Sequence, residues 1–345
     1  MMPLAQLLAG LLACSRPHEQ ADTGVNPAAV SAALAIGPRF QWEENFGYCG
    51  ETSFISAGLY YGQYLSQYDA RALASPGVPQ QRASSQLLLG VNDTAAAAAM
   101  HLDVSEWQGS SADDFLVWVR ANVAAGNPVI IGVYNNEYLL YGETSANAGD
   151  AEYDHIVPVT AVQSAAPLDD QTFHSDDTLT FSDNGLVGDN TPQGSDYFYT
   201  SGFTDFEMSR AEANKPDAPY YGLSNTGANY GVAITGVTDP NHETSPVSLS
   251  TSANFESPEI IDGSDTRPAA SPVDITVTVS GLTAGADYTL FRYNAASSVP
   301  NASFGVHAGD AAASWPIHAT AATWTMTETT QSSDEAFYRA VAGAF

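Results

Sequence analysis

The chain has 345 residues, room for two domains of ordinary size, and 44% of them are hydrophobic, enough for a sizeable core and too many for wholesale disorder. Acidic residues outnumber basic ones 39 to 10, a net charge of −29, and a field of that sign stands against nucleic-acid partners and electrostatic docking on anionic membranes. The two cysteines, Cys14 and Cys49, are too few for a disulfide framework or an all-cysteine zinc site.

Leu4 to Ala13 form an apolar run too short to cross a bilayer as a helix. Its length suits a signal-peptide core with cleavage near Ala13, so residues 1–20 read as a signal peptide and the protein as secreted or held at the cell surface. Leu11-Leu12-Ala13-Cys14 also resembles a bacterial lipobox, which would put a lipid on Cys14. No later stretch is apolar enough to span a membrane. Residues 21–37, rich in Ala, Pro and Gly, read as a linker.

Compact signals begin near Phe40. From Glu51 to Leu73 there is no proline, and Ala57, Tyr61, Tyr64 and Tyr68 repeat at helical spacing, which predicts one long helix with an aromatic face. Asp93 or Thr94 caps an Ala-rich helix over 95–102, and Asp113 and Asp114 open another that Gly126 and Pro128 end. Three apolar runs then read as buried strands, 128–134, 155–162 and 178–182. Helices first and strands later give an α+β domain over 38–237.

Beyond residue 238 the pattern changes. Val273, Ile275, Val277 and Val279 alternate with polar residues as a half-buried strand, Gly281 and Gly285 mark a turn, and 288–293 returns. Residues 238–345 therefore read as an all-β domain of sandwich-like build. Val277 to Tyr288, with Leu282 six residues before Tyr288, resembles the fibronectin type III segment that carries the tyrosine corner. The resemblance implies that the Tyr288 hydroxyl bonds back to the turn backbone.

The chemistry concentrates in Gln41 to Ser53. Cys49 lies at the start of a helix, between Gly47 and Gly50 and downstream of Gln41. Unpaired N–H groups and the positive end of a helix favour thiolate. Gln41 can donate to a developing oxyanion together with the Cys49 main-chain N–H. A nucleophilic thiol needs a base and the base an orienting group. His155 opens an apolar strand 106 residues after Cys49, and Asp183 and Asn184 end the next one. Glu43, Glu44, Glu51 and Asp154 stand near these positions; at a net charge of −29 they read first as part of a generally acidic surface, and otherwise as a preference for cationic substrate side chains.

Gln41, Tyr48-Cys49-Gly50, Gly126-Asn127-Pro128-Val129-Ile130, His155 and Asp183, in this order, resemble the papain-fold cysteine peptidases, in the branch related to bacteriocin-processing peptidases. The resemblance covers about residues 38–190 and implies a central helix packed on an antiparallel sheet. It also implies a Cys49–His155 thiolate–imidazolium pair, no cofactor, and hydrolysis of a peptide or protein substrate through a thioester. The third member is Asp183 by the bacteriocin-processing pattern and Asn184 by that of papain. Gln41 lies further from Cys49 than is usual in the family, so Gln41 or Asn45 serves the oxyanion. Transglutaminase-type acyl transfer uses the same chain order, and a catalytically inactive papain-fold binding or adhesion protein is the other alternative.

Overall fold

The computed structural model describes residues 29–186, 198–252 and 263–343. The signal peptide over 1–20, the lipobox cysteine Cys14 and the first part of the linker lie outside the described residues. No helix among the described residues is long and apolar enough to cross a membrane.

The architecture is mixed α and β, with antiparallel pairing dominant. The first half runs β1 (Val30–Ala33), α1 (Cys49–Tyr60), β2 (Gln63–Tyr64), α2 (Gln67–Ala74), α3 (Asp93–Ala99), β3 (Leu102–Glu106), α4 (Ala112–Ala124), β4 (Val129–Asn135), α5 (Glu137–Tyr141), β5 (His155–Ser164) and β6 (Thr178–Ser182). It continues with β7 (Phe198–Gly202), α6 (Phe203–Phe206), β8 (Glu207–Met208), α7 (Arg210–Ala213), β9 (Tyr221–Ser224) and β10 (Gly231–Val237). The later elements are strands, with short 3₁₀ turns at Ala296–Ser298 and Ala308–Asp310: β11 (Thr244–Ser245), β12 (Val247–Thr251), β13 (Pro272–Ser280), β14 (Asp287–Tyr293), β15 (Ala313–His318), β16 (Thr323–Gln331) and β17 (Ala336–Ala342).

The first sheet has the order β3-β10-β4-β5-β6-β7, with β1 beside β5 and β9 beside β4. Its middle strands β4 and β5 are buried along most of their length because both faces are covered. Ile130 and Ile156 point to a cluster with Phe54 and Ile55 of α1 and Ala96 of α3. Val129, Ile131, Val133, Val157 and Val159 point to the opposite cluster, with Phe115 and Val119 of α4.

Two sequence expectations change here. The segment read as a linker pairs in part, since Val30–Ala33 form β1 against Ala161–Ser164. The long helix from 51 to 73 is broken between Tyr60 and Gln67. Gly62 has φ 72°, and a Cβ there would sit 2.8 Å from Val247 Cβ, so the chain turns where β12 crosses it. Residues 63 and 64 then pair with β17, and the Ser66 hydroxyl restarts the helix by accepting from Asp69 N.

The C-terminal strands make two antiparallel sheets, β12-β13-β16 and β11-β17-β14-β15. Ile275, Val277 and Val279 of the one and Leu290, Tyr338 and Ala340 of the other share a single apolar cluster. The other side of β14 and β17 presents Phe291, Tyr293, Phe337 and Val341 to the cluster that also holds Phe54 and Ile55. The Tyr288 hydroxyl accepts from Thr283 N at 3.0 Å, the bond across the turn that the resemblance implies.

Candidate active site

Cys49 is the first residue of α1, and the loop before it is strained. Asn45, Phe46 and Gly47 have φ of 51°, 70° and 79° in succession, a left-handed run that a phenylalanine adopts only where its surroundings hold it. All three carbonyls are held. Arg71 Nη1 donates to Asn45 O at 2.8 Å, Gln86 Nε2 to Phe46 O at 2.7 Å, and Arg71 Nη2 to Gly47 O. Arg71 is itself fully buried, with its guanidinium 3.5 Å from the Tyr48 ring centroid and Nε 2.7 Å from Glu51 Oε1. The same Glu51 oxygen accepts from Leu87 N at 2.9 Å, so the buried charges are paired and hydrogen-bonded. Glu51 thus belongs to the support of the loop rather than to the cleft wall.

His155 is the first residue of β5 and is buried. Its Nε2 lies 2.8 Å from the main-chain oxygen of Asp183. A carbonyl only accepts, so Nε2 carries the proton and Nδ1 is left as the basic nitrogen. The imidazole stacks on Tyr221 with centroids 5.9 Å apart. The Tyr221 hydroxyl donates to Asp183 Oδ2 at 3.1 Å, and Gly185 N donates to Asp183 Oδ1 at 2.9 Å.

Asn184 has a different task from orienting the imidazole. Its Nδ2 donates to Cys49 O at 3.2 Å, Ser53 Oγ at 2.9 Å and Ile156 O at 3.0 Å. It therefore ties the end of β6 to the first turn of α1 and the start of β5. Gln41 is buried, and its main-chain N–H donates to Asn184 O at 2.9 Å.

Gln41, Cys49 and His155 line one cleft of about 400 Å³. Asn45 is turned elsewhere, with Nδ2 donating to Ser264 O at 2.9 Å and Oδ1 accepting from Gly263 N at 2.9 Å. Of the acidic positions singled out in the sequence, Glu43 and Asp154 line the cleft. Asp154 is paired with Arg210 and accepts from Asn135 N at 2.8 Å.

Burial sets the protonation states. It pushes the Cys49 thiol up to about 12, with Glu51 adding to the rise, while the main-chain N–H groups of Ile156 and Gly50 oppose it. Burial pulls His155 down to about 4, against the Asp183 carbonyl. The resting pair is therefore a neutral thiol and a neutral imidazole rather than an ion pair. Among the described residues no hydrogen bond joins the Cys49 sulfur to the imidazole.

Sequence reasoning did not single out Arg71, Asn135, Tyr141 or Tyr221. Arg71 left one trace. In a chain with 10 basic residues against 39 acids, arginines such as Arg71 and Arg120 are buried in ion pairs, so a scarce cation marks a structural task. Comparison of the chain with protein-family models, with curated proteins and with solved structures finds no match.

Proposed function

We propose that this protein is a thiol-dependent hydrolase of peptide or amide bonds, papain-like in its first part and sandwich-like in its strands beyond residue 238. The observation that carries the reading is the single cleft in which a helix-start cysteine, a strand-start histidine with a free Nδ1 and a glutamine side chain stand together.

The chemistry follows from the neutral resting pair. As Cys49 Sγ attacks the substrate carbonyl carbon, the thiol proton passes to His155 Nδ1. The oxyanion is met by the Gln41 amide and the Cys49 main-chain N–H. The imidazolium then protonates the leaving amine, which departs and leaves a thioester on Cys49. Water, deprotonated by the same Nδ1, attacks the thioester carbonyl, and the carboxylic acid and free thiol are released. The Asp183 carbonyl keeps the ring oriented throughout. The apolar run from Leu4 to Ala13 supports export.

The test uses the full chain and a set of fluorogenic peptide amides, with an alkylating reagent read at Cys49 by peptide mapping. Hydrolysis lost in both Cys49→Ser and His155→Ala supports the proposal. No hydrolysis, together with alkylation of Cys49 at the same rate in His155→Ala as in the parent, points instead to an inactive binding protein. Amine incorporation exceeding hydrolysis would assign acyl transfer.

A further inference from the structure

We infer, resting on the hydrolase reading above, that the cleft selects substrates carrying a lysine or arginine side chain next to the scissile bond. Three features of the wall lead there.

The first is Asn135, the last residue of β4. It is 4% exposed, lines the cleft beside Cys49 and His155, and its Oδ1 accepts no hydrogen bond from any described residue. Its main chain cannot shift to relieve this, because N is held by Asp154 Oδ2 at 2.8 Å and O by Arg210 Nη2. A buried acceptor without a donor is costly; this oxygen is closed to solvent in the resting cleft, so a substrate N–H group satisfies it only as the wall gives way.

The second is an apolar approach. None of the residues of α5 is buried, and its Leu140 and Tyr141 line the cleft. Phe46 enters from the loop before Cys49, with 63% of its surface exposed, and Tyr141 is 59% exposed. Large apolar groups left in water beside a nucleophile fit the methylene stem of a long side chain, and the Tyr141 ring face also suits a cation.

The third is the charge around that approach. Glu43 lines the cleft and Glu137 begins α5. The Tyr141 hydroxyl is pushed up by burial and then by Glu137, Glu43 and Asp154, which shows how these carboxylates gather about one ring. Arg210 is the cation acting on Glu137 and Asp154, and its guanidinium is already committed to Asp154, Asn135 O and Asn214 Oδ1. An apolar stem ending in a cationic donor matches all three features. A leucine matches only the second, and a glutamate is repelled by the third.

The test has two readouts on the full chain. Fluorogenic peptide amides with Arg, Lys, Leu or Glu next to the scissile bond are compared by kcat/KM. Arg and Lys are expected to exceed Leu by about tenfold or more, and this ratio falls in Glu43→Gln/Glu137→Gln and in Asn135→Leu. Equal turnover of the Arg, Leu and Glu peptides overturns the inference while leaving the hydrolase reading intact. The second readout needs no hydrolysis. Cys49 is modified with aminoethyl and with sulfonatoethyl methanethiosulfonate, and the ratio of the two rates is measured at Cys49 by peptide mapping. A ratio that favours the cationic reagent and drops in Glu43→Gln/Glu137→Gln supports a cation-selective cleft even if no peptide is cleaved, in which case the hydrolase reading alone fails. A ratio unchanged by the double substitution overturns the inference. Both glutamates lie outside the buried core, so this variant folds whether or not Asn135→Leu does.

Discussion

The Nε2 of His155 lies 2.8 Å from the main-chain oxygen of Asp183, so the imidazole is oriented by a backbone carbonyl. The Asp183 carboxylate meanwhile accepts from the Tyr221 hydroxyl and from Gly185 N. A carbonyl neither gains nor loses a proton, so the tautomer of His155 does not depend on the ionisation of Asp183.

Asp183→Asn should therefore keep kcat within about tenfold of the parent, whereas loss of a carboxylate that orients a catalytic histidine costs about 10⁴. The new amide can keep its oxygen on Gly185 N and donate to the Tyr221 oxygen. Steady-state kinetics on a cleaved peptide decide the point, and a fall near 10⁴ would show that the carboxylate acts on the ring.

Acid stability should carry the signature of His155. Burial holds its folded-state pKa at about 4, below the ordinary 6.5. Between these values the unfolded chain binds more protons than the folded one, so stability falls as pH drops from 6.5 to 4. The loss from this group is about 3 kcal/mol and ends below the folded pKa. Urea unfolding at a series of pH values should show a shallower acid slope for His155→Gln; a slope equal to the parent's would contradict the assignment.

Gln41 and Asn45 separate by kinetics. Gln41→Ala should lower kcat by about 10²–10³ with little change in KM, as loss of one oxyanion donor does. Asn45→Ala removes the bonds to Ser264 O and Gly263 N and should lower stability instead. If Asn45→Ala produced the larger fall in kcat at full stability, the oxyanion role would pass to Asn45.

Arg71→Met should leave Glu51 as a lone buried charge and release the carbonyls of Asn45 and Gly47. The expected cost is about 3–5 kcal/mol in urea unfolding. Glu51→Gln/Arg71→Met should recover part of it, because neither charge is then stranded. The recovered protein should still react slowly at Cys49 with substrate-like probes, since the left-handed loop has lost its clamp. Full reactivity in the double variant would show that the loop holds its shape without Arg71.

Much of this arrangement is legible locally. The apolar runs at 128–134, 155–162 and 178–182 match β4, β5 and β6 to within about two residues, because continuous burial on both faces is written into consecutive positions. The start of α1 at Cys49 and of β5 at His155 follows from the same short-range signals, as does the alternation of β13. Local signals assign which residue types stand at which ends of which elements. Packing between distant segments sets everything else. The break at Gly62 needs Val247, a residue far away in the chain, to crowd the turn. The hold on His155 comes from a backbone oxygen, a group every residue possesses and no residue type announces. The place of Asn135 in the cleft, and the clamp of Arg71 and Gln86 on three left-handed residues, arise only when distant segments pack together. Periodicity and capping are properties of a few neighbouring residues, whereas burial, pairing and the protonation they impose belong to the folded whole.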